Sequence, residues 1–428
     1  MNNNDDIRIN FFHKRADSII VFFIILIFLL IYFIFRSNVI GYWESVSIYS
    51  ILEPNSYPPL PNIQIRGDST GGQGLGYPLL ILTKYLSNFF TLSFFSLKYL
   101  YLIYSCFFLI LFYFFIKKIS DRYVSIFSLI ILIFNPYFIY MSTFISAQQI
   151  SLVLIFLLLF LISDLKNKTS FSYFALTSIS ISLVLMHYIY GRYLLIVILL
   201  YYFFDHLLNK RFNEIDFLKS INKFLKLITL SLLILILSYP PNLGLIFSKE
   251  LFLPLIDGEI GIFDYNIFQL FYLNFDYFLK VFFFSGDSEL YFNIINGEKV
   301  RVFDYLLQVI LLIGLLIASV DKKMMIINII TLTLIILICF SYSDFNESKV
   351  TNSSISVYRF YMCIPFLTIY VGYGLNIILN HFKLFQNKKS IICVFLISLF
   401  SIFSFFKMDT SHDKYKEIKD NINNEDYK

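Results

Sequence analysis

The sequence predicts an all-α polytopic membrane protein with about eleven transmembrane helices. Of its 428 residues, 58% are hydrophobic and only 15% are charged, whereas a soluble domain has about half its residues apolar and about a quarter charged. Apolar runs approaching the roughly 20 residues that a membrane-spanning helix needs recur from Ser18 to Phe406. The chain is therefore expected to cross the membrane many times.

The predicted spans begin and end where charged or polar residues interrupt the apolar runs. In chain order they are Ser18 to Phe35, Leu97 to Ile116, Val124 to Thr143, Ile150 to Ile162, Phe174 to Tyr190, Tyr193 to Phe204, Leu225 to Ser238, Tyr305 to Val320, Met325 to Ser341, Phe360 to Leu379 and Ile391 to Phe406. The first run follows Lys14 and Arg15, but it is too long for a signal-peptide core and lacks a small-residue cleavage site. We interpret it as a retained span. The Pro78 to Phe95 stretch predicts interfacial helices in the first outer loop.

Basic residues indicate the cytoplasmic side, because they accumulate in short cytoplasmic connections. The clusters are Lys14 with Arg15, Lys117 with Lys118 and Arg122, Lys166 with Lys168, Lys210 with Arg211, Lys219 with Lys223 and Lys226, Lys322 with Lys323, and Lys383 with Lys388 and Lys389. All fall on one side of the predicted topology, which places the N-terminus in the cytoplasm. The predicted topology places three loops outside: 37–96, 239–304 and Tyr342 to Arg359. The chain divides into a transmembrane domain, residues 1–406, and a short charged tail, 407–428, which is also predicted to lie outside.

The motifs of several other protein classes are absent from the sequence. It contains no G-x-x-x-x-G-K-[ST] phosphate loop, no H-E-x-x-H and no G-x-S-x-G. The four cysteines lie in apolar stretches without a C-x-x-C pair, so neither a zinc site nor a disulfide framework is indicated. No basic arm suggests nucleic acid. The sequence indicates no cofactor and leaves a divalent metal open.

Two acids in the first outer loop are candidates for chemistry at the membrane surface. Glu44 stands just beyond the first span and beside Trp43, and Asp68 follows Arg66 in a glycine-rich segment. The alternative for Glu44 is an ordinary interfacial carboxylate next to an aromatic that is typical of membrane boundaries. The alternative for Asp68 is a local salt bridge with Arg66.

Several segments together resemble the GT-C superfamily of polyprenyl-phosphate-sugar-dependent glycosyltransferases. In chain order they are the acid of the first outer loop, Gly76-Tyr77-Pro78-Leu79-Leu80, Lys117-Lys118-Ile119-Ser120-Asp121-Arg122, Asn135-Pro136, His187-Tyr188-Ile189-Tyr190-Gly191-Arg192, Ser285-Gly286-Asp287, Leu312-Ile313-Gly314-Leu315, and Tyr358-Arg359-Phe360 with Pro365 and Gly372. The sequence is most similar in layout to bacterial relatives of protein O-mannosyltransferases, which form glycosyltransferase family 39, and of the aminoarabinose transferase of lipid A. The order of these segments along the chain and the side of the membrane on which each is predicted to lie carry the resemblance.

The resemblance implies an inverting glycosyltransferase of a bacterial inner membrane, with its active site facing outside. Its donor would be a polyprenyl-phosphate-linked sugar and its acceptor a glycan, lipid or protein hydroxyl, with membrane lipids around it. Glu44 is the first choice for the general base and Asp68 the second. Arg192 and Arg359 would bind the lipid phosphate, with snorkelling to headgroups as the alternative. The implied sugar or acceptor pocket consists of His187, Tyr188, Tyr190, Arg66, Asp287 and Arg301, for which interfacial packing or a solvated loop is the alternative.

Two departures separate this sequence from the family pattern. Many relatives have Asp-Glu after the first span, where this chain has Trp43-Glu44. After the third span, where an acidic residue is common, the chain has Gln148 and Gln149. The resemblance therefore implies no helper carboxylate or metal ligand at positions 148 and 149.

Two other function classes stay open at this stage. An O-antigen polymerase or ligase also acts on lipid-linked glycans at the outer surface, but such proteins usually concentrate arginine and histidine in a large late loop. A flippase or transporter of lipid-linked saccharides would have polar groups deep within its spans and an internal repeat. The sequence favours the glycosyltransferase over both.

Overall fold

The computed structural model describes residues 3–35, 94–142, 147–165, 170–185, 194–201, 214–238, 267–279, 282–283, 302–339 and 361–381, and the isolated positions 86, 392, 395 and 399. All regular structure in these residues is helical. The α-helices are α1 (Asn3–Phe35), α2 (Phe94–Ile119), α3 (Arg122–Ile133), α4 (Pro136–Ser142), α5 (Ala147–Leu165), α6 (Phe171–Leu185), α7 (Glu214–Ser238), α8 (Ile267–Leu279), α9 (Tyr305–Ala318), α10 (Met325–Cys339) and α11 (Cys363–His381). Residues 194–201 are also helical, and a 3-10 turn, Lys322–Met324, joins α9 to α10. The predicted all-α fold class is confirmed.

Several of these helices have the length and composition of membrane spans. Among the described residues, Lys98–Ile119, Lys322–Cys339 and Cys363–His381 are long and apolar enough to cross a bilayer. Shorter apolar helices accompany them at Asp17–Phe33, Arg122–Ile133, Gln149–Ser163, Phe171–Leu185, Leu225–Leu237 and Tyr305–Ala318. Large apolar side chains such as Phe22 and Leu316 remain exposed on these helices, as expected of surfaces that face lipid rather than water. The protein is an integral membrane protein.

The helices differ from the predicted spans in three ways. The helices α1 and α7 begin well before the apolar runs at Ser18 and Leu225, because hydropathy detects only the part of a helix that lies in hydrocarbon. A short break divides the predicted Val124 to Thr143 span into α3 and α4. A further helix, α8, lies within the predicted outer loop 239–304. The predicted Ile391 to Phe406 span and the first outer loop fall almost entirely outside the described residues.

Helix α11 packs between α3 and α9 at very short range. A Cβ atom on Gly374 would lie 2.5 Å from the carbonyl oxygen of Ile310 in α9. On the α3 side, a Cβ atom on Gly372 would lie 2.7 Å from the backbone nitrogen of Ser128. Real Cβ contacts are longer than this, so only glycine permits these backbones to approach so closely, as in other membrane helix pairs.

An aromatic cluster joins α2, α5 and α11. The ring of Phe156 in α5 lies 5.2 Å from Phe108 and 5.4 Å from Phe112, both in α2, measured between centroids. On its other side it stacks on Phe366 of α11 at 5.2 Å. Phe156 is fully buried, so this one side chain connects three helices of the core by ring packing.

Helices α6, α7, α8 and α10 pack in pairs around this core. Helix α6 packs on α5 and on α7, and the Ser182 hydroxyl of α6 donates to the carbonyl oxygen of Ser231 in α7 at 2.6 Å. Helix α8 packs on α10, where the Asn274 amide donates to the carbonyl oxygen of Cys339 at 2.8 Å. Short polar side chains thus tie neighbouring helices together where apolar burial gives little driving force within lipid.

The bundle has two chemically different ends. At the basic end, which we define by Lys117, Arg122 and Lys322, the buried carboxylate of Asp17 pairs with Lys117 and, at 2.6 Å, with Nε of Arg122. This contact joins α1 to α2 and to the start of α3. The side chain of Asp17 is 3% exposed, so the two cations stabilise a carboxylate that would be costly to bury alone.

Two further aspartates fix α11 at the basic end. Asp121 caps α3 by accepting from the Val124 N–H at 2.9 Å, and its other oxygen accepts from the Asn376 amide at 2.8 Å. Asp321 caps the 3-10 turn and accepts from the Tyr373 hydroxyl at 2.6 Å. That hydroxyl and a second bond, from the Lys323 backbone N–H, hold the pKa of Asp321 below its ordinary value.

Candidate functional site

The distal end of the bundle is the end opposite the basic end, where α1 and α3 finish and α2, α5, α9 and α11 begin. All ten predicted site residues lie outside the described residues: Glu44, Arg66, Asp68, His187, Tyr188, Tyr190, Arg192, Asp287, Arg301 and Arg359. The structure does describe the residues on either side of the four segments that carry these site residues, which are 36–93, 186–193, 284–301 and 340–360. These flanking contacts define the frame of the candidate site.

The segment that carries Glu44 and Asp68 leaves α1 and returns to α2 where these helices touch. The Tyr32 hydroxyl of α1 donates to the carbonyl oxygen of Lys98 in α2 at 3.5 Å. The adjacent rings of Phe33 and Tyr99 lie 6.5 Å apart. Both ends of the first predicted outer loop are therefore anchored side by side.

Lys98 is a functional candidate that the sequence analysis missed. It is 6% exposed, and the buried charged side chains of the described residues are Lys98 and Asp17. An ionisable group inside the apolar region of a membrane protein is costly and usually functional. The sequence signal was a lysine within the predicted Leu97 to Ile116 span, at its distal end, where a buried ammonium is suited to attract an anion.

The break between α3 and α4 is built by the Asn135-Pro136 pair. Proline has no N–H and fits the first turn of a helix, and asparagine is a preferred N-cap. The Asn135 side-chain oxygen accepts from the Phe138 N–H at 3.1 Å, which caps α4. Its amide nitrogen donates to the carbonyl oxygen of Val302 at 2.8 Å. The buried Asn135 amide thus accepts from an N–H at the start of α4 and donates to the carbonyl oxygen of Val302, the residue next to Arg301.

Gln308 connects the two flanks of the segment 284–301, which carries Asp287. Its side-chain nitrogen donates to the carbonyl oxygen of Phe303 at 2.9 Å and to that of Phe282 at 3.1 Å. The rings of Phe282 and Phe303 lie 6.5 Å apart. Gln308 is buried at the start of α9, so this second loop also begins and ends at one place in the bundle.

The residue Tyr361, two positions after Arg359, packs directly on α4. Its ring is stacked on Phe138 with a centroid distance of 6.2 Å and an interplanar angle of 17°. Phe138 in turn contacts Phe28 of α1 and Phe108 of α2, at 5.9 Å and 5.8 Å. The short helix α4 therefore connects the Arg359 segment to the helices that anchor the first loop.

After the third predicted span, where the family that the sequence resembles commonly has an acid, the described side chain is the amide of Gln149. The Gln149 side-chain nitrogen donates to the carbonyl oxygen of Tyr101 at 3.1 Å and also to the Ser105 hydroxyl. Gln149 thus ties α5 to α2, while the side chain of Gln148 lies outside the described residues. Within the described part of the chain, no group of three metal-binding side chains is present.

Some buried polar atoms at the distal end have unused hydrogen-bonding capacity. Among the described residues, Oε1 of Gln149 and the hydroxyls of Tyr101 and Tyr361 have no hydrogen-bond partner. Buried polar atoms in native proteins are normally paired.

The fold of the described helices is similar to that of solved membrane proteins. The structure of ArnT from Cupriavidus metallidurans bound to undecaprenyl phosphate matches with a TM-score of 0.50 at 11% identity, over 83% of this chain and 60% of that one. The apo oligosaccharyltransferase of Archaeoglobus fulgidus matches with a TM-score of 0.49 at 12% identity, over 94% and 56%. This chain thus spans about 60% of the length of the ArnT chain. No protein-family model and no curated protein matches the sequence.

Proposed function

We propose that this protein transfers a sugar from a polyprenyl-phosphate-linked donor to an acceptor hydroxyl at the distal end, which faces outside. The observation that carries the proposal is the fold shared with ArnT. At the distal end of this fold lie the flanks of the segments that carry Glu44 and Asp68, Asp287 and Arg301, and Arg359. The ArnT structure with undecaprenyl phosphate bound supports a lipid-phosphate donor.

The proposed reaction needs one general base and one anion-binding site. Glu44, or Asp68 in its place, removes the proton of the acceptor hydroxyl as the oxygen attacks the anomeric carbon. The bond from that carbon to the phosphate oxygen breaks, and polyprenyl phosphate leaves with the bonding electrons. The configuration at the anomeric carbon of the transferred sugar is inverted. Arg192 and Arg359 bind the phosphate, and Lys98 adds a third positive charge.

Sugar transfer in isolated membranes tests this proposal. Labelled sugar is supplied on polyprenyl phosphate to membranes with the wild type, Glu44→Gln, Asp68→Asn or the control Glu53→Gln from the same loop. Loss of a general base lowers the rate by about 10²–10⁴-fold, so one of the first two variants should fall that far and Glu53→Gln should stay active. Wild-type membranes that transfer nothing from any such donor would refute the proposed function. If only Asp68→Asn is inactive, Asp68 is the base.

A further inference from the structure

We propose that α8 is an interfacial helix, which embeds one aromatic face in the lipid leaflet at the distal end of the bundle. This segment was predicted as part of the outer loop 239–304, so the inference moves the membrane boundary on this side of the protein. The partner is the region of a phospholipid leaflet where acyl chains meet headgroups. The inference concerns how the chain lies in lipid and does not rest on the proposed sugar transfer.

Helix α8 lies at the level where two apolar helices end. A 3-10 turn joins α9 to α10 at the basic end, so the start of α9 and the end of α10 both lie at the distal end. The Asn274 amide, in the middle of α8, donates to the carbonyl oxygen of Cys339, the last residue of α10. The ring of Phe278 lies 4.7 Å from Phe282, whose carbonyl oxygen accepts from Gln308 near the start of α9. These contacts hold α8 beside the distal ends of both helices.

The length and composition of α8 suit the membrane boundary. Its 13 residues extend about 20 Å, whereas a helix that crosses the bilayer needs roughly 20 residues. Six of these residues are aromatic, and tyrosine in particular is enriched where membrane meets water. Asn274 and Asp276 would be costly at the bilayer centre, but they are not at its surface. A helix of this kind is stable when it lies in the boundary region of a leaflet.

Helix α8 has one face on the protein core and another that is exposed. On the core side, Phe278 is buried, and Phe271 and Phe275 are partly buried against the core. On the other side, Phe268 is 74% exposed and Tyr272 is 68% exposed. These two residues are four positions apart, so they lie on one face. Adjacent apolar rings exposed to this extent mark an interaction surface.

Lipid is the partner that the neighbouring surface indicates. Helix α8 packs on α10, which is long and apolar enough to cross a bilayer. The exposed apolar side chains of α10 include Leu332 and Ile336, and Ile336 is three residues from the Cys339 contact. A leaflet that covers α10 up to its last turn therefore also meets α8.

The exposed side of α8 changes from apolar to charged along the helix. Phe268, Tyr272 and Asp276 follow one another at intervals of four residues, which places them along one side. A phenylalanine ring partitions into acyl chains, a tyrosine collects at the boundary, and a carboxylate remains in water. We therefore expect α8 to be inclined, with Phe268 deepest in the leaflet and Asp276 at its surface.

Quenching of tryptophan fluorescence by brominated lipids tests this placement. Trp43 is the single tryptophan of the sequence, so Trp43→Phe gives the full chain a background without tryptophan emission. Phe268→Trp, Tyr272→Trp and the control Leu312→Trp, at an exposed position in the middle of α9, are made in this background. Each is reconstituted in phosphatidylcholine vesicles brominated either near the headgroup or near the middle of the acyl chain.

All three tryptophans should lose fluorescence to brominated lipid, but to different depths of bromine. Leu312→Trp should lose most to bromine near the middle of the chain, and Tyr272→Trp should lose most to bromine near the headgroup. Phe268→Trp should fall between these two. A Phe268→Trp protein that is quenched no more than the Trp43→Phe background by either lipid would overturn the inference.

Iodide on both sides of the vesicles distinguishes water from protein as the cover of this face. Phe268→Trp should be shielded from iodide, whereas Asp276→Trp should be quenched by it. Quenching of Phe268→Trp by iodide alone would place α8 in water, and protection from both quenchers would mean that protein covers it; either result contradicts the inference. If size-exclusion chromatography shows that Phe268→Trp is not folded, Tyr272→Trp decides the question by the same measurements, because it replaces one interfacial aromatic ring with another.

Discussion

At the residue scale, Asp17 and Lys98 are the buried charged residues in the part of the chain that the structure describes, and they lie at opposite ends of the bundle. Asp17 has two cations against it, Lys117 and Arg122, so its environment is explained by ion pairing within the scaffold. Lys98 stands at the base of the first outer loop, beside the Tyr32 contact. The cost of burying Asp17 is thus offset by ion pairing, and Lys98 marks the base of the first outer loop.

Replacement of Lys98 with methionine is expected to lower sugar transfer at least tenfold, because a methionine of similar length keeps the packing and removes the charge that attracts the donor phosphate. Labelled-sugar transfer at several donor concentrations measures the effect, which should appear in the donor KM. Lys118→Met is the control, since the Lys118 ammonium lies at the basic end, 5.0 Å from the Phe160 ring centroid. Equal activity of the two variants would contradict the assignment.

Replacement of Asp17 with asparagine should lower the Tm of the protein without changing the donor KM. Removing one partner of a fully buried ion pair costs about 3–5 kcal/mol. The Lys117 and Arg122 side chains are 33% and 29% exposed, so water partly restores their hydration and the loss should be smaller. Thermal unfolding in detergent measures it, and an unchanged Tm would show that the pairing does not stabilise the fold.

Acidification should remove the stabilising contribution of Asp321. Its folded-state pKa is held below the ordinary value of 3.8 by the hydrogen bonds from Tyr373 and Lys323. Such a carboxylate stabilises the fold above its ordinary pKa and loses this contribution as the pH falls through the lowered one. The Tm difference between the wild type and Asp321→Asn should therefore be constant near neutral pH and shrink toward zero below pH 3.8. A difference that grows on acidification would reverse the sign of the linkage.

At the scale of elements, α11 is the helix on which the others depend, because glycines bring it against both α3 and α9. Alanine at Gly374 would place a methyl group against the backbone of Ile310, which cannot withdraw as a flexible side chain could. The helices must then separate, with loss of contacts along the whole interface.

Gly374→Ala is accordingly expected to lower the Tm by several degrees and to reduce the yield of folded protein. Thermal unfolding in detergent and size-exclusion chromatography measure both quantities. Leu316→Ala is the matched control on the exposed face of α9, where the side chain is 72% exposed and its loss should leave the Tm nearly unchanged. A Gly374→Ala protein as stable as that control would refute the close helix contact.

Helices were predictable from the sequence to the extent that they were apolar. The runs that became α2, α10 and α11 lie within the range of lengths that a span requires, roughly 17–25 residues, so their existence followed from composition. Helix α8 was not predicted, since Asn274 and Asp276 interrupt its aromatic residues. Asn274 is there because its amide binds the Cys339 carbonyl, and a hydropathy count cannot distinguish such a helix contact from a loop.

The frame of the candidate site was much less predictable. The Asn135-Pro136 pair was visible as a motif, but its partner Val302 lies 167 residues away, and a long-range hydrogen bond leaves no periodic pattern in the sequence. Gln149 was noticed only as a departure from the family pattern, and its role as a donor to Tyr101 followed from the structure. The ten residues predicted to act directly on substrate stay predictions.

At the scale of the whole molecule, the charge difference between the two ends predicts how the protein lies in the membrane. Basic residues mark the cytoplasmic side, so the distal end should face outside. A cysteine at Thr70, in the first outer loop, should react with a membrane-impermeant maleimide in intact cells. A cysteine at the exposed Lys323 should react only after permeabilisation, and the wild type, with its own four cysteines, gives the background. The opposite labelling pattern would invert the topology.

The contacts made by Tyr32 and Gln308 have a consequence for how such proteins diversify. Each brings together two points of the scaffold that lie on either side of a long stretch of chain. Lengthening a closed loop costs little, about 0.6 kcal/mol for each doubling. We therefore expect the segments 36–93 and 284–301 to be exchangeable between proteins of this architecture. Transplanting either one should leave the helices beneath to assemble as before and, under the proposed function, change which acceptor is modified.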